Sequence, residues 1–256
     1  PDAFMVSFIT NHDMDRAAGF LQTGMGHAQM AANLNVLLPG YSYIYYGEEI
    51  GQLGQKPDDN RREPFDWYQS ANGKYMTKMT EIFFNPVLTY VQPNDGISVE
   101  EESANADSML NHYKKLIAIR NANPAFYNGT YETLGMGGGG LYAYKVSDEE
   151  NQYLVVHNQR NNDKTITLNV DGTDLYNNTE VLAGSYELKA YSSLILKYDS
   201  EIAAYFSLAN DRLSYHDFGD LTLFNRFRKR HFVNSKRIKA VDYCRNTIFY
   251  VECSKG

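Results

Sequence analysis

The chain lacks any run of about 18 apolar residues, the length a helix needs to cross a bilayer, although 43% of its 256 residues are hydrophobic. A membrane-spanning helix is thereby excluded, and the apolar content suffices for one large core or two smaller ones. Cysteine is scarce: Cys244 and Cys253 both lie near the end, and their spacing leaves a disulfide and two free thiols both open. No second histidine or cysteine stands at metal-ligand spacing beside His12, and His27 lies in a helical stretch with no second ligand type at metal-ligand spacing, so no zinc site is expected. No charged segment followed by an apolar stretch opens the chain, and Pro1 is not an initiator. The expectation is an amino-terminal segment that was removed or lies outside this sequence. Localisation is not legible from such a start; a secreted or cell-envelope setting is the expectation over a cytoplasmic one.

Positive charge is thin through residue 200, where 14 Lys and Arg stand against 25 Asp and Glu, a balance of -11. From 201 to 256 there are 10 against 6, a balance of +4, supplied largely by Arg226, Arg228, Lys229, Arg230, Lys236, Arg237 and Lys239. Such a reversal marks a boundary. Residues 225–239 interleave basic and aromatic side chains, as nucleic-acid binders do and as any solvated basic helix face does. Nucleic acid is not the expected partner, and a segment of unrelated origin is the competing reading of this tail.

Residues 5–9 read as a buried strand that ends in Asn11-His12-Asp13. Residues 26–38 have helical composition closed by Pro39-Gly40, and 42–46 form a second β-branched and aromatic strand, together a βαβ unit of a parallel sheet. The long connection over 51–105 contains Pro57, Pro64, Pro86 and Pro93, and is expected to be functional or to carry small elements of its own. Residues 107–121 return to helical period, with Leu110, Tyr113, Leu116, Ile117 and Arg120 on one face, Asn105 or Asp107 as cap and Pro124 as terminator. From Leu141 the period becomes two: 141–146, 153–157, 165–170 and 192–198 are strands separated by turn clusters, a small antiparallel sandwich. The run Met136-Gly-Gly-Gly-Gly140 precedes a strand, whereas a phosphate-cradling loop opens a helix, so it reads as a connection.

A lone His-Asp pair is more often structural than catalytic, since buried polar groups must find partners, but a strand-end position favours function. Trp67 and Tyr68 suit an aromatic platform for a ligand ring, yet a single tryptophan is more often core. Tyr43, Ile44, Tyr45 and Tyr46 read as alternating packing residues.

Four motifs in order carry a resemblance: Phe8-Ile-Thr-Asn-His-Asp13, Pro39-Gly-Tyr-Ser-Tyr-Ile-Tyr-Tyr-Gly-Glu-Glu-Ile-Gly51, Arg62-Glu-Pro-Phe-Asp-Trp67 and Asp107-Ser-Met-Leu-Asn-His-Tyr-Lys-Lys-Leu-Ile-Ala-Ile-Arg120. Over residues 1–198 the chain resembles the α-amylase superfamily, family 13 of the glycoside hydrolases. The resemblance implies an α/β fold: the last strands and helices of a (β/α)8 TIM barrel over 1–123, then the antiparallel β-sandwich called domain C over 124–200, with 201–256 a basic tail outside it. It implies a retaining glycosidase acting on α-glucosidic bonds of maltodextrin or starch-like oligosaccharides, through a covalent glycosyl-enzyme intermediate. Asp13 matches the carboxylate that stabilises the transition state, and His12 the imidazole that hydrogen-bonds sugar hydroxyls. Arg62 matches an arginine that reaches the pocket in α-glucosidase-like members; the competing reading is a surface ion pair with Asp58, Asp59 or Glu63. The family's nucleophile Asp and acid/base Glu have no counterpart here, so Glu48 and Glu49, which invite a reading as a second catalytic carboxylate, are expected to support the barrel rim through hydrogen bonds, and this chain is expected to be inactive alone. No cofactor is implied in this segment, and calcium belongs to the rest of a full-length enzyme. The expected partner is an α-glucan or maltooligosaccharide, with no membrane. The alternative is a non-catalytic carbohydrate-binding or scaffold relative of the same barrel.

Overall fold

A computed structural model describes residues 3–21, 25–70, 88–135, 139–199, 206–208 and 249–254. The opening apolar run forms β1 (Ala3–Phe8), which lies parallel to β2 (Tyr41–Tyr43), Val6 opposite Tyr41 and Phe8 opposite Tyr43. The crossover between them contains α1 (Ala17–Leu21) and α2 (Met25–Leu37), so the expected βαβ unit is present. The other edge of β1 takes an antiparallel strand, β12 (Phe249–Ser254), from the tail. Residues 225–239 and Cys244 lie outside the described residues.

The second strand is shorter than expected. It stops at Tyr43 because Gly47, at φ 89, starts a 3-10 turn over Glu48–Ile50. Tyr43, Ile44 and Tyr46 are consequently exposed rather than alternating as packing residues, which corrects that expectation. The long connection does carry elements of its own, α3 (Asp58–Arg61) and α4 (Val99–Ser103), with 71–87 outside the described residues.

The second long helix is α5 (Met109–Ala122). Its cap is Ser108, not Asn105 or Asp107: the Ser108 hydroxyl accepts from the Asn111 N–H at 3.2 Å, while the Asn105 side chain accepts from the Asp107 N–H. Ser108 wins because it is the last extended residue before the helix and so faces the orphan N–H groups of the first turn. Leu110, Tyr113, Leu116 and Arg120 are buried as expected, but Ile117 is exposed and Met109, His112 and Ile119 take its place. Pro124, which supplies no N–H, starts α6 (Ala125–Asn128) at once.

A six-stranded antiparallel sheet follows, in the order β3 (Thr130–Gly135), β4 (Leu141–Ser147), β5 (Gln152–Asn158), β10 (Ser193–Tyr198), β7 (Gly172–Asp174) and β8 (Thr179–Val181). Against it lies a three-stranded sheet of β11 (Phe206–Leu208), β6 (Lys164–Leu168) and β9 (Gly184–Leu188). Of the Met136–Gly140 run, the first three residues are outside the described ones, and Gly139 and Gly140 enter β4 at φ 77 and 84, a backbone region that other residues rarely adopt.

The central strands are buried on both faces, and each face has its own chemistry. Tyr142, Tyr144, Tyr153, Val155 and Ile195 pack on α2, α5 and α6 with Val36, Leu37, Leu116 and Phe126. The alternate residues Leu141, Ala143, Leu154, Val156, Leu194 and Leu196 pack on Ile166, Leu168 and Leu188 of the smaller sheet. Period-two alternation here therefore separates one apolar face from another rather than polar from apolar, with Tyr142, Tyr144 and Tyr153 all on the helix side. The result is a mixed α/β arrangement of helices, sheet and sheet in three layers.

Candidate active site

Beyond Phe8 the chain leaves β1 and turns. The Met14 N–H donates to the Asn11 carbonyl at 3.1 Å, and the Asn11 side-chain oxygen accepts from the Asp13 N–H at 2.8 Å, an Asx turn that aims His12 and Asp13 away from the sheet. Beneath the turn, the Thr10 hydroxyl donates to the Glu48 carboxylate, which also accepts from the Ala17 N–H. Burial raises the pKa of Glu48 against the pull of those bonds and of Arg16. Glu49 accepts from the Gly47 N–H at 2.7 Å. Both glutamates therefore act through hydrogen bonds to neighbouring segments, as expected.

Two arginines brace the turn from inside. Arg16 is fully buried, its guanidinium 4.6 and 4.7 Å from the ring centres of Tyr45 and Tyr46, with Nε donating to the Arg61 carbonyl at 3.1 Å. Gly47 is required beside it: a Cβ there would stand 2.6 Å from Nη1 of Arg16. Arg61 is buried too, and donates to the Asp13 carbonyl at 2.6 Å, to Asp15 Oδ1 at 2.8 Å and to Asp58 Oδ1 at 3.2 Å.

On this base the three predicted residues converge. Asp13 Oδ2 lies 3.3 Å from His12 Nε2, and Asp13 Oδ1 lies 3.1 Å from Arg62 Nη2, whose Nε donates to the His12 carbonyl at 3.2 Å. Arg62 also meets Asp58 at 3.5 Å, the ion pair that the competing reading of this arginine expected. The His12 and Asp13 side chains remain 62% and 66% exposed. A carboxylate, an imidazole and a guanidinium thus meet at the carboxyl end of a strand with unused hydrogen-bonding capacity facing outward.

The sequence reading missed Arg16 and Arg61, and offered Glu63 only as a surface ion-pair partner of Arg62. Glu63 is buried and accepts from the N–H groups of Thr89, Tyr90 and Val91 at 2.7, 2.9 and 2.9 Å, which anchors the far end of the long connection beside Arg62. Only the crowding of charges in Asp58-Asp-Asn-Arg-Arg-Glu63 hinted at it. The expectation that Trp67 is core is overturned: Trp67 and Tyr68 are 43% and 42% exposed. Asp66 between Phe65 and Trp67 is buried instead, its carboxyl pushed up to about 7 by burial and by Asp95 and Glu101. Among the described residues no group of three His, Cys, Asp or Glu could hold a metal ion, and no helix is long and apolar enough to cross a membrane.

The family model for the alpha amylase catalytic domain matches residues 1–129, half of the chain. The chain belongs to the α-amylase family. Alpha-amylase 3 of Dictyoglomus thermophilum is 34% identical over 194 residues, which cover 74% of this chain and 38% of that protein. A 4-alpha-glucanotransferase of Thermotoga neapolitana is 32% identical over 165 residues, 62% of this chain and 36% of that one. Among solved structures, the alpha-amylase from H. orenii superposes with a TM-score of 0.59 at 33% identity over 76% of this chain and 40% of its own. The chain therefore spans less than half the length of these relatives. The four sequence motifs identified the family correctly, and its members include both hydrolases and transferases acting on α-glucans.

Proposed function

We propose that this chain is the carboxy-terminal part of a retaining α-glucan hydrolase of the α-amylase type: the last two strand-helix units of a (β/α)8 barrel followed by a β-sandwich. The observation that carries the reading is the open Asp13 carboxylate at the tip of β1, one oxygen against His12 and the other against Arg62. Cleavage of a glycosidic bond with retention needs a nucleophilic carboxylate and an acid/base carboxyl, and passes through an oxocarbenium-like transition state. Asp13 is suited to stabilise that positive charge and His12 to donate to a ring hydroxyl. Arg62 and Arg61 hold Asp13 by its side chain and its backbone, so that little reorganisation is left to the reaction. The nucleophile and acid/base have no counterpart in the 256 residues, so the purified chain is expected to bind maltooligosaccharides without cleaving them.

Calorimetric titration of the purified chain with maltoheptaose tests this. Saturable binding is expected, weakened about tenfold by Asp13→Ala through loss of a charged hydrogen-bond acceptor, with no maltose released. Binding indifferent to Asp13→Ala, or release of maltose by the unaided chain, overturns the reading.

A further inference from the structure

We propose that Asp66 is a proton-operated latch in the long connection: as a neutral acid it lets the segment after Arg62 stay clasped to α4, and its ionisation releases that clasp. The proposal concerns the order of this loop and does not rest on the α-glucan reading.

Three observations carry it. The first is a carboxyl buried without a partner. Asp66 is fully buried, and among the described residues neither of its side-chain oxygens accepts a hydrogen bond of ordinary geometry. Such a group is costly as an anion and much less so as a neutral acid.

The second is the charge that surrounds it. Two carboxylates face Asp66, that of Asp95 from the loop before α4 and that of Glu101 from α4, and against them only the Tyr68 N–H favours the charged form. Both neighbours are fixed: Asp95 Oδ1 accepts from the Ile97 N–H at 3.0 Å, and Glu101 accepts from the Gly96 N–H at 3.1 Å and the Ser98 hydroxyl at 2.7 Å. Neither can turn away without breaking those bonds. Glu102, the next acidic residue of α4, accepts instead from the Leu110 N–H at 2.7 Å and so belongs to the contact with α5. Burial first, then Asp95 and Glu101, push the Asp66 carboxyl up to about 7.

The third is the clasp itself. The Val99 and Glu100 N–H groups, first-turn donors of α4 that no helical carbonyl can satisfy, donate to the carbonyls of Asp66 and Trp67 at 3.0 and 3.2 Å. The Glu100 carboxylate accepts from the Gln69 N–H at 2.9 Å, and the Gln69 carbonyl accepts from the Asn94 N–H at 2.7 Å. A capping box between Ser98 and Glu101 holds α4. One of these bonds ends on Asp66's own backbone, so bringing its carboxyl into water means parting the clasp. Once hydrated, the carboxyl titrates near about 3.9. The closed form is therefore favoured fully below that value and progressively less as pH rises to about 7.

Hydrogen exchange at the Val99 and Glu100 amides of the full chain, from pH 5 to pH 8, tests this, with each rate divided by that of an unstructured amide at the same pH. Opening is expected to grow about fiftyfold between pH 5 and pH 7 and to level off above, while the Leu154 and Val155 amides of β5 do not follow. Asp66→Asn keeps the size of the neutral acid but cannot ionise, so its profile should be flat. Asp95→Asn removes one facing charge and should move the levelling point to lower pH. Trp67 is the only tryptophan and adjoins the latch, so its emission should change with a midpoint near pH 7 in wild type and not in Asp66→Asn. Far-UV circular dichroism confirms that each variant is folded; if Asp66→Asn is not, the wild-type and Asp95→Asn profiles decide the matter. Exchange at Val99 and Glu100 that ignores pH, that tracks the β5 amides, or that responds equally in Asp66→Asn overturns the latch. An emission change without a change in exchange overturns it too, since the carboxyl would then titrate with the clasp closed.

Discussion

A chain of hydrogen bonds runs through the layer between the helices and the six-stranded sheet, and it predicts a specific response to acid. Tyr144 OH lies 3.3 Å from His157 Nε2, and His157 Nδ1 lies 2.7 Å from Ser193 Oγ. Asn33 Nδ2 donates to that same hydroxyl at 2.9 Å; Asn33 Oδ1 lies 2.9 Å from His112 Nε2, and His112 Nδ1 lies 2.6 Å from Tyr176 OH. Burial lowers His112 to about 4 and His157 to about 3, so both imidazoles are neutral when folded and titrate near 6.5 when unfolded. Their stabilisation is complete above the unfolded value and is lost as pH falls below it. Between pH 7 and pH 5 each costs about 2 kcal/mol at about 1.4 kcal/mol per pH unit. Two buried carboxyls act in the opposite direction. Asp66 and Glu102, each pushed up to about 7 chiefly by burial, take up protons more readily folded than unfolded, and each contributes about 2 kcal/mol over the same interval. The two pairs nearly cancel, so these four groups leave the wild-type profile almost flat. His157→Gln separates them. It keeps a donor and an acceptor but cannot titrate, so acidification from pH 7 to pH 5 should narrow the stability gap between wild type and variant by about 2 kcal/mol. Urea unfolding of both proteins at the two pH values, at constant ionic strength, measures the gap. A gap that stays constant refutes the assignment of a neutral, buried His157.

The adjacent arginines predict opposite outcomes. Arg61→Ala removes a buried guanidinium with three acceptors and should cost about 3 kcal/mol, whereas Arg62→Ala breaks exposed pairs and should cost no more than about 1 kcal/mol; equal losses in denaturant midpoint would contradict the burial assigned to Arg61. Glu63→Gln replaces an acceptor of three N–H groups by one with a single oxygen, so hydrogen exchange at Thr89, Tyr90 and Val91 should accelerate about tenfold or more, by the loss of at least about 1.4 kcal/mol of local stability. Unchanged exchange at those amides would show that the anchor is dispensable.

How much was legible in the residues differs from element to element. β1, α2 and α5 were readable because each is long and carries a strong local signal: an apolar run, alanine-rich composition closed by Pro39-Gly40, a helical period. The three-residue strands β7 and β8 carry no period and were missed, as was β9 in its turn-rich surroundings. Ile117 shows the limit within a helix. It falls on the same broad face as Leu116 and Tyr113, yet it is exposed while Met109, His112 and Ile119 are buried. At the candidate site, His12, Asp13 and Arg62 were found through motif likeness, and their mutual geometry was not. Trp67 was assigned to the core because tryptophan usually is, and backbone bonds from α4 hold it outside.

The residues alone determined the family, the βαβ start and the antiparallel strands after Leu141, since these depend on local composition and order, and motif likeness put forward His12, Asp13 and Arg62. Only the tertiary structure decided which charges lie inside. Arg16, Arg61, Glu48 and Glu63 belong to a chemical class usually found at the surface, and they are buried here because segments distant in the chain bring them acceptors and donors: Tyr46 and Arg61 for Arg16, Asp13 and Asp15 for Arg61, Thr10 for Glu48, and the 89–91 backbone for Glu63. Burying a charge is favourable only when its partners arrive with it, and no local pattern records that arrival.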